Sequence, residues 1–227
     1  MSVLVVTGTS TDVGKTIVTA ALAVSLESAG HVVSVCKPAQ TGVDPDEAGD
    51  LVAVIGLSDP LRRRQYRECV RYPDPMAPGV AARRRGRASL SVGDVVDAVG
   101  DLPGTVLVEG AGGVAVRFDD RGTTVLDIAR ALDARVLVVS QPGLGALNHA
   151  ELTVDAVRRA GLCCVGVVLG SWPTVPDLAA LTNLAELPAV TGVPIVGRIP
   201  DGVGSWSAER FVSTAPTWFV PDFAPFA

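Results

Sequence analysis

The stretch GTSTDVGKT, Gly8–Thr16, follows the apolar run SVLVV and precedes a helix-like segment. A phosphate-binding loop is written GxxxxGK[ST]; here five residues, not four, separate the two glycines, so the pattern fits only with Thr9 in the first glycine's place. Strand, loop and helix are nevertheless the context in which free backbone N–H groups and the positive helix end face an anion. We predict a phosphate site, with Lys15 bridging the outer phosphates and Thr16 binding Mg²⁺ through its hydroxyl.

Further apolar, β-branched runs alternate with helix-like segments along the chain. Near-continuous apolar strands alternating with helices indicate a parallel sheet that is covered on both faces. We therefore predict a single α/β domain over residues 1–227, with the P-loop nucleoside triphosphate hydrolase-like architecture. The predicted strands are Val3–Val6, Val32–Cys36, Val106–Val108, Val136–Val139, Val165–Leu169 and Ile195–Ile199, and the predicted helices are Lys15–Ala29, Val92–Val99, Val125–Leu132, His149–Ala160 and Leu178–Val190.

Composition excludes several classes of protein. No apolar run reaches the roughly 18 residues that a membrane span needs, and no targeting pattern precedes the first strand, so we expect a cytoplasmic protein with no membrane partner. The net charge of −5 argues against broad nucleic-acid affinity. Nothing in the spacing of the four cysteines indicates a metal site, so free thiols are expected.

Two regions depart from the regular alternation. Residues 43–90 are rich in Pro, Arg and Asp, and we expect loops and short helices over the sheet's edge there. Nine of the 17 arginines lie between Arg62 and Arg87; a solvated helix face explains them better than a polyanion site. The tail, residues 205–227, holds six of the eight Trp and Phe residues, which indicates burial against the body or a partner.

The two lysines are the next feature. Against 17 arginines the chain has only Lys15 and Lys37, each placed after an apolar strand. A compact ammonium on a flexible stem suits phosphate chemistry where a planar guanidinium does not fit. Lys37 opens the segment KPAQTG, in which Thr41 follows four residues later and Gly42 permits a sharp turn. Both side chains are therefore expected to face the phosphate loop.

A candidate carboxylate follows another strand, in TVLVEGAGG. Glu109 holds the position from which a P-loop enzyme binds Mg²⁺ directly or through water, although Asp is the usual residue. The glycine-rich segment after it leaves room for a substrate. Asp50 is a plausible second carboxylate, but its neighbours Asp44, Asp46 and Glu47 compete with it on position alone.

These motifs together resemble one family. GTSTDVGKT, CKPAQTG, Asp50, LVEGAGG and LGALNHAELT are similar in order and spacing to the dethiobiotin synthetases, over most of the chain from Val3 to about Asp201. The resemblance implies a homodimer that uses ATP or another nucleoside triphosphate and Mg²⁺ to join 7,8-diaminononanoate with CO₂ or bicarbonate. An amine takes up CO₂ as a carbamate, the carbamate attacks the γ-phosphate, and the second amine closes the ureido ring and releases phosphate.

The resemblance also implies roles for individual residues. Lys15 and Lys37 are the expected catalytic residues, and Thr16, Asp50 and Glu109 the expected metal ligands. Substrate binding is expected at Thr41, at Pro78 and Gly79 in YPDPMAPGVAA, and, from the neighbouring subunit, at Gly145, Ala146, Leu147 and Asn148. Asn148 could instead be a helix N-cap. Nucleotide binding is expected at Thr11, Asp12, Val13, Gly14, Lys15, Thr16, Ile17, Asp50, Glu109, Gly110, Ala111, Gly112, Gly170, Ser171, Pro200, Asp201 and Gly202.

One position departs from the family pattern. Many members carry an Asn-Asp pair after the strand GVVL, and its Asn reads the adenine edge; this chain has Gly170-Ser171 instead. Glycine cannot make a bidentate amide contact. We therefore expect loose base selectivity, or selectivity that rests on backbone groups there and at Pro200-Asp201-Gly202.

Two alternatives compete with this interpretation. Cobyrinate-type synthases carry a glutaminase domain, for which 227 residues leave no room. Partition or regulatory switch ATPases carry a signature lysine that would lie at Ser10, where it is absent. A switch ATPase would also show stimulation by DNA or membranes, whereas a synthetase would not.

Overall fold

The computed structural model of the chain describes residues 1–61, 63–221, 223 and 225–226. Arg62 of the arginine cluster and Asp222, Ala224 and Ala227 of the tail lie outside the described residues.

Within these residues seven strands form one parallel sheet, in the order β3-β2-β4-β1-β5-β6-β7. The predicted parallel sheet is therefore confirmed, and each of the six predicted apolar runs overlaps a strand. The strands are β1 (Ser2–Gly8), β2 (Val33–Thr41), β3 (Gln65–Tyr72), β4 (Thr105–Gly113), β5 (Arg135–Ser140), β6 (Cys164–Trp172) and β7 (Ile195–Pro200).

Strand β3 corrects the prediction for residues 43–90, which expected only loops and short helices. Seven of the eight side chains in its sequence QYRECVRY are exposed or only partly buried, because β3 is an edge strand and pairs only with β2. A search for continuous apolar runs does not find such a strand. Strand β2 is also longer than predicted, so Lys37 lies inside the strand and not at its end.

Eight α-helices and two 3-10 helices are found in the described part of the chain. The α-helices are α1 (Lys15–Ser28), α2 (Asp50–Ser58), α3 (Pro78–Arg84), α4 (Val92–Gly100), α5 (Val125–Ala131), α6 (Ala146–Arg159), α7 (Leu178–Thr191) and α8 (Ala208–Thr214); the 3-10 helices are Val203–Ser205 and Ala215–Trp218. Helix α1 ends one residue earlier than predicted, at Ser28 with Ala29 as its C-cap, and Gly30 takes a φ of 88° just beyond it. Helix α6 begins three residues earlier than predicted, and its N-cap is Gly145 and not Asn148.

The core has two halves, one on each face of the sheet. In β1, Leu4 and Val6 face one half and Val3 and Val5 the other, as the alternation of a strand requires. Helices α1 and α2 cover the first half, and α4, α5 and α6 cover the second. Helices cover both faces of the sheet, so a ligand cannot bind there. In sheets of this kind ligands bind at the carboxyl ends of the strands.

The aromatic tail packs on the body of the same chain. Phe211, Trp218 and Phe219 belong to the core half that contains α1, and Phe219 forms an antiparallel bridge with Gly197 of the edge strand β7. The Val220 amide adds a hydrogen bond to the Val196 carbonyl. The prediction that the tail is buried is thus confirmed for these residues, with the body as its partner.

Several arginines of the cluster form ion pairs. Arg64 meets Glu27 with a shortest distance of 2.5 Å, Arg71 meets Glu68 at 2.7 Å, and Arg83 pairs with Asp120. These contacts tie the chain to itself and reduce the local excess of positive charge. Among the described residues, no helix is both long and apolar enough to cross a bilayer.

Candidate active site

The phosphate loop turns sharply between β1 and α1. Asp12 and Gly14 both have positive φ, 58° and 94°, and Gly14 is the N-cap of α1. The Thr9 amide donates to the Val139 carbonyl at 2.9 Å, which fixes the start of the loop against β5. Since Gly14 has no side chain to cap the helix, the N–H groups of the first turn remain available to an anion.

Lys15 bends back over this loop. Its Nζ donates to the Ser10 carbonyl at 2.9 Å, and the residue is buried. Burial, together with the nearby charge of Lys37, lowers the pKa of Lys15 despite the carboxylates of Glu109 and Asp50. An ammonium in this position has lost much of its hydration, so it interacts strongly with any phosphate that the loop binds.

Lys37 reaches the same place from β2. Its Nζ lies 2.5 Å from Asp50 Oδ2 and donates to Glu109 Oε1 at 2.8 Å, although the residue is only 3% exposed. Burial alone would lower the pKa of Lys37, but the carboxylates of Glu109 and Asp50 outweigh it and raise the pKa. Lys37 is therefore a fixed cation at the base of the site.

Glu109 joins the two lysine-bearing elements. Its Oε1 accepts hydrogen bonds from the Thr16 hydroxyl at 2.9 Å and from Lys37, and the residue is fully buried. Its Oε2 is also buried, yet it has no hydrogen-bond partner among the described residues. A buried carboxylate oxygen without a partner is costly in a purely structural role, which points to a ligand.

A cavity of about 560 Å³ opens above these groups. It is large enough for a small molecule with part of a nucleotide. Its lining residues are Thr11, Asp12, Gly14, Lys15, Thr16, Lys37, Ala39, Gln40, Thr41, Asp50, Pro75, Met76, Ala77, Pro78, Glu109, Ala111, Gly112 and Val116.

The phosphate loop also touches the end of β6. A Cβ added at Gly170 would lie 1.8 Å from the Val13 carbonyl oxygen, and one added at Gly14 would lie 2.9 Å from the Gly170 carbonyl oxygen. The two backbones therefore pack directly on each other, and any residue with a side chain at Gly170 would force them apart. Nearby, the Asp201 amide donates to the Trp172 carbonyl at 2.8 Å, which holds the loop after β7 against the end of β6.

Comparison with known proteins connects this site to a family. A family model described as an AAA domain matches residues 2–203. The ATP-dependent dethiobiotin synthetase BioD of Rhodococcus jostii is 54% identical over 96% of this chain and 95% of its own length, and that of Streptomyces coelicolor is 51% identical over 97% and 93%. The chain belongs to the ATP-dependent dethiobiotin synthetase family. Members of this family are ATP-dependent ligases of biotin synthesis.

Solved structures of other proteins have a similar fold. The MinC:MinD cell division complex of Aquifex aeolicus has a TM-score of 0.57 at 14% identity, covering 97% of this chain and 98% of that one. The cell division ATPase MinD of Pyrococcus furiosus has a TM-score of 0.53 at 18% identity, covering 94% and 96%. At such identities the likeness concerns the fold alone, and it confirms the predicted P-loop architecture.

The structure brings twelve of the 25 residues that the dethiobiotin synthetase resemblance singled out into the lining of one cavity. Asp50 lies with Lys37 and Glu109, whereas the carbonyls of its competitors Asp44 and Glu47 face Arg71. Those in the cavity lining are Thr11, Asp12, Gly14, Lys15, Thr16, Lys37, Thr41, Asp50, Pro78, Glu109, Ala111 and Gly112.

Other predicted residues lie outside the cavity lining. The Gly110 carbonyl is 3.4 Å from Lys37 Nζ, Val13 is a buried residue of the phosphate loop, and a Cβ on Gly79 would touch the Asp119 backbone. A Cβ added at Gly204, in the segment after β7, would lie 3.2 Å from Ile17 Cδ1. The remaining positions lie near the ends of other elements: Gly170 and Ser171 lie near the end of β6, Pro200 ends β7 and is followed by Asp201 and Gly202, and Gly145, Ala146, Leu147 and Asn148 start α6.

The donor set suits the Mg²⁺ that a dethiobiotin synthetase is expected to use. In the described part of the chain no three His, Cys, Asp or Glu residues gather as a metal cluster, but Mg²⁺ is commonly held by one or two carboxylates plus substrate phosphates and water. Asp50, Glu109 and the Thr16 hydroxyl supply such a set, and Glu109 Oε2 has a free acceptor. The residues present therefore fit the ion.

Sequence reasoning missed several lining residues of this cavity. Gln40 lies between Lys37 and Thr41 in a segment that was already singled out, so its position could have indicated that it lines the cavity. Pro75, Met76 and Ala77 precede the predicted Pro78, and only the resemblance of that whole loop pointed to them. Ala39 and Val116 carry no chemical signal in the sequence, because only the folding of the loops brings them to the cavity.

Proposed function

We propose that the chain acts as a single-domain dethiobiotin synthetase, which joins 7,8-diaminononanoate and CO₂ at the expense of ATP with Mg²⁺ in the cytoplasm. The family membership supports the overall reaction. The observation that carries the chemical steps is the buried position of two ammonium groups beside the phosphate loop, with Lys37 fixed by Asp50 and Glu109. Two cations at one site suit a reaction in which a carboxylated amine attacks a phosphate.

The first step makes the nucleophile. One amine of the diamine adds to CO₂, loses a proton and becomes a carbamate anion. Lys37 stabilises that anion, since its raised pKa keeps it protonated at neutral pH. Preorganised donors of this kind contribute roughly 10² to 10³ in rate each.

The later steps use the phosphate loop. A carbamate oxygen attacks the γ-phosphorus and displaces ADP, giving a carbamic-phosphoric anhydride; Lys15 and the α1 N–H groups balance the charge on the transferring group. The second amine then attacks the carbonyl carbon, expels phosphate and loses a proton, which closes the ureido ring. Thr16, Asp50 and Glu109 would hold Mg²⁺, which would supply charge neutralisation and orientation of the phosphates.

The substrate's long apolar chain and its distant carboxylate require further contacts. Thr41, Pro78 and Gly79 are the proposed contacts near the amines. Gly145–Asn148 lie outside this chain's own cavity lining, which supports their contribution from a second subunit of a homodimer. Leu144, which directly precedes this segment, and Leu152 and Leu178 are exposed apolar side chains, which supports the same arrangement.

We further propose loose selectivity for the nucleotide base. The backbone contact between Gly170 and Val13 leaves no space for a side chain that could read adenine. Turnover with CTP, GTP and ATP at subsaturating concentrations is expected to be similar. A hundredfold preference for ATP in kcat/KM would contradict this proposal.

Product analysis tests the function directly. Incubation with the diamine, bicarbonate, Mg²⁺ and ATP should yield dethiobiotin and one phosphate per ring closed, and Lys37→Ala should abolish the product while circular dichroism shows a folded protein. If nucleotide hydrolysis proved indifferent to the diamine and rose with DNA or lipid vesicles, the switch ATPase interpretation would replace ours.

A further inference from the structure

The connection between β2 and α2, residues 42–49, delivers Asp50 to the site. Residues 44–48 are exposed, so little apolar packing fixes this segment. Asp50 is nevertheless the first residue of α2, and its Oδ2 lies 2.5 Å from the buried Lys37 ammonium. Burial of the connection therefore does not hold the start of α2 in place, and polar contacts from neighbouring strands must do so.

Gln40 makes the first such contact. It is only 4% exposed, and its Oε1 accepts from the Asp50 backbone N–H at 2.8 Å. Its Nε2 donates to the Thr41 carbonyl at 3.3 Å. The first N–H groups of a helix lack partners inside the helix, and the N-cap Gly49 has no side chain to offer one. Gln40, on the neighbouring strand, takes this capping role.

Arg71 makes the second contact from β3. Its Nη1 donates to the Asp44 carbonyl at 3.0 Å and to the Glu47 carbonyl at 2.7 Å. Glu68 accepts from the other side of the guanidinium, at 2.7 Å from Nε and 2.8 Å from Nη2. The paired geometry holds the guanidinium in one plane, so its direction toward the connection is fixed.

Gly49 lies between these two side chains. A Cβ built on it would come within 2.8 Å of both Gln40 Oε1 and Arg71 Nη2. Its φ of −93° is one that any residue adopts, so the constraint is space and not backbone strain. The contacts of Gln40, Gly49 and Arg71 thus converge immediately before Asp50.

We propose that Gln40 and Arg71, with Gly49 between them, are positioning residues that set the place of the Asp50 carboxylate and so the affinity for nucleotide with Mg²⁺. This inference rests on the proposed role of Asp50. Groups that orient a metal ligand typically contribute 10- to 100-fold to metal affinity or activity. They act through Asp50, so their effect should disappear when its carboxylate is absent.

The experiment measures binding of a non-hydrolysable ATP analogue by calorimetry, with Mg²⁺ and with EDTA. Gln40→Met, Arg71→Met and Gly49→Ala are expected to weaken binding about tenfold with Mg²⁺ and to leave binding in EDTA unchanged. In the Asp50→Asn background each should add nothing further, as residues that act through one group are not additive. Arg67→Met removes an exposed arginine from the same strand and serves as the control.

Equal losses with and without Mg²⁺, or full additivity with Asp50→Asn, would overturn the inference. Three variants at separate positions keep the test open if one of them fails to fold, which thermal melting would reveal. The readout is independent of the proposed reaction: if the wild-type chain made no dethiobiotin, the function would fail while the binding result could still support positioning of Asp50.

Discussion

At the scale of the residue, the central feature is a buried cation between two carboxylates. Breaking one partner of a buried ion pair typically costs 3–5 kcal/mol, because the other charge is left uncompensated. Lys37, Asp50 and Glu109 form such a group, and Glu109 is fully buried. The same three residues therefore contribute to the folding stability of the chain and to its proposed activity. Substitutions can separate these two contributions.

Lys37→Met is expected to lower kcat for dethiobiotin formation by roughly 10² to 10³ and to reduce the free energy of unfolding by about 3 kcal/mol. The double variant Lys37→Met/Glu109→Gln should regain most of the stability, since no buried charge remains unpaired, but none of the activity. Urea unfolding and steady-state kinetics on the three proteins measure both effects. Recovery of activity in the double variant would show that Lys37 serves only to neutralise Glu109.

Individual site residues differed in how well the sequence revealed them. Lys15 follows β1, whereas Lys37 and Glu109 lie inside β2 and β4. Because these strands are parallel and lie side by side in the order β2-β4-β1, the gathering of the three residues was predictable. Gln40 and Arg71 gain their roles only from contacts between β2, β3 and the connection. No local pattern distinguishes a buried glutamine that caps a neighbouring helix from an exposed one.

At the scale of the element, the predicted boundaries depended on the kind of strand or helix. Interior strands were found because they are apolar on both faces. Edge strand β3 was missed because four of its eight residues are charged or glutamine, and its exposed positions look like a surface loop. Helix α6 was placed three residues late, because its N-cap, Gly145, is a glycine in a left-handed conformation with no side chain to make a capping hydrogen bond.

The junction of α2 and β3 carries a prediction about acid stability. The Asp59 carboxylate accepts from the amides of Arg63 and Arg64, each at 2.9 Å, and from the Tyr66 hydroxyl at 3.0 Å. Burial alone would raise the pKa of Asp59, but these hydrogen bonds outweigh it and hold the pKa below its usual range. The carboxylate therefore contributes stability above the pKa of the unfolded chain, and this contribution is lost as pH falls through the folded pKa.

Asp59→Asn is expected to reduce the free energy of unfolding by about 2 kcal/mol at pH 7. The difference from wild type should narrow below about pH 4, where an unfolded aspartate takes up its proton. Urea unfolding at several pH values measures it. Asp97→Asn, at an exposed position of α4, is the matched control, and a pH-independent difference at Asp59 would contradict the argument.

At the scale of the whole molecule, one prediction concerns an exposed leucine and the other the buried part of the tail. Leu144 is 97% exposed and directly precedes the segment Gly145–Asn148. If a second copy covers it, Leu144→Asp should yield monomers in sedimentation velocity and raise KM for the diamine with little change in KM for ATP. Val32→Asp, on another exposed apolar side chain, should change neither. A monomeric wild type would contradict the proposed homodimer.

The tail gives the second prediction. Phe211 is fully buried and its ring meets Trp218 edge-on at 5.1 Å between centroids. Phe211→Ala should destabilise by about 3–5 kcal/mol and lower Tm by roughly 10 °C in a chain of this size. Val212→Ala, at a more exposed position of the same helix, should lower Tm far less. Differential scanning calorimetry measures the Tm of both variants. Equal changes in Tm for Phe211→Ala and Val212→Ala would indicate that the tail does not unfold together with the body.

The packing of α1 against residues 208–219 also bears on the order of events during synthesis. A ribosome releases α1 early, but Phe211, Ala215 and Trp218, which complete the core half beneath that helix, emerge only after all seven strands. Until then the nascent chain presents an open apolar surface, of the kind that recruits chaperones or aggregates. The phosphate loop, which ends in α1, thus acquires its full support only when translation has passed the last strand.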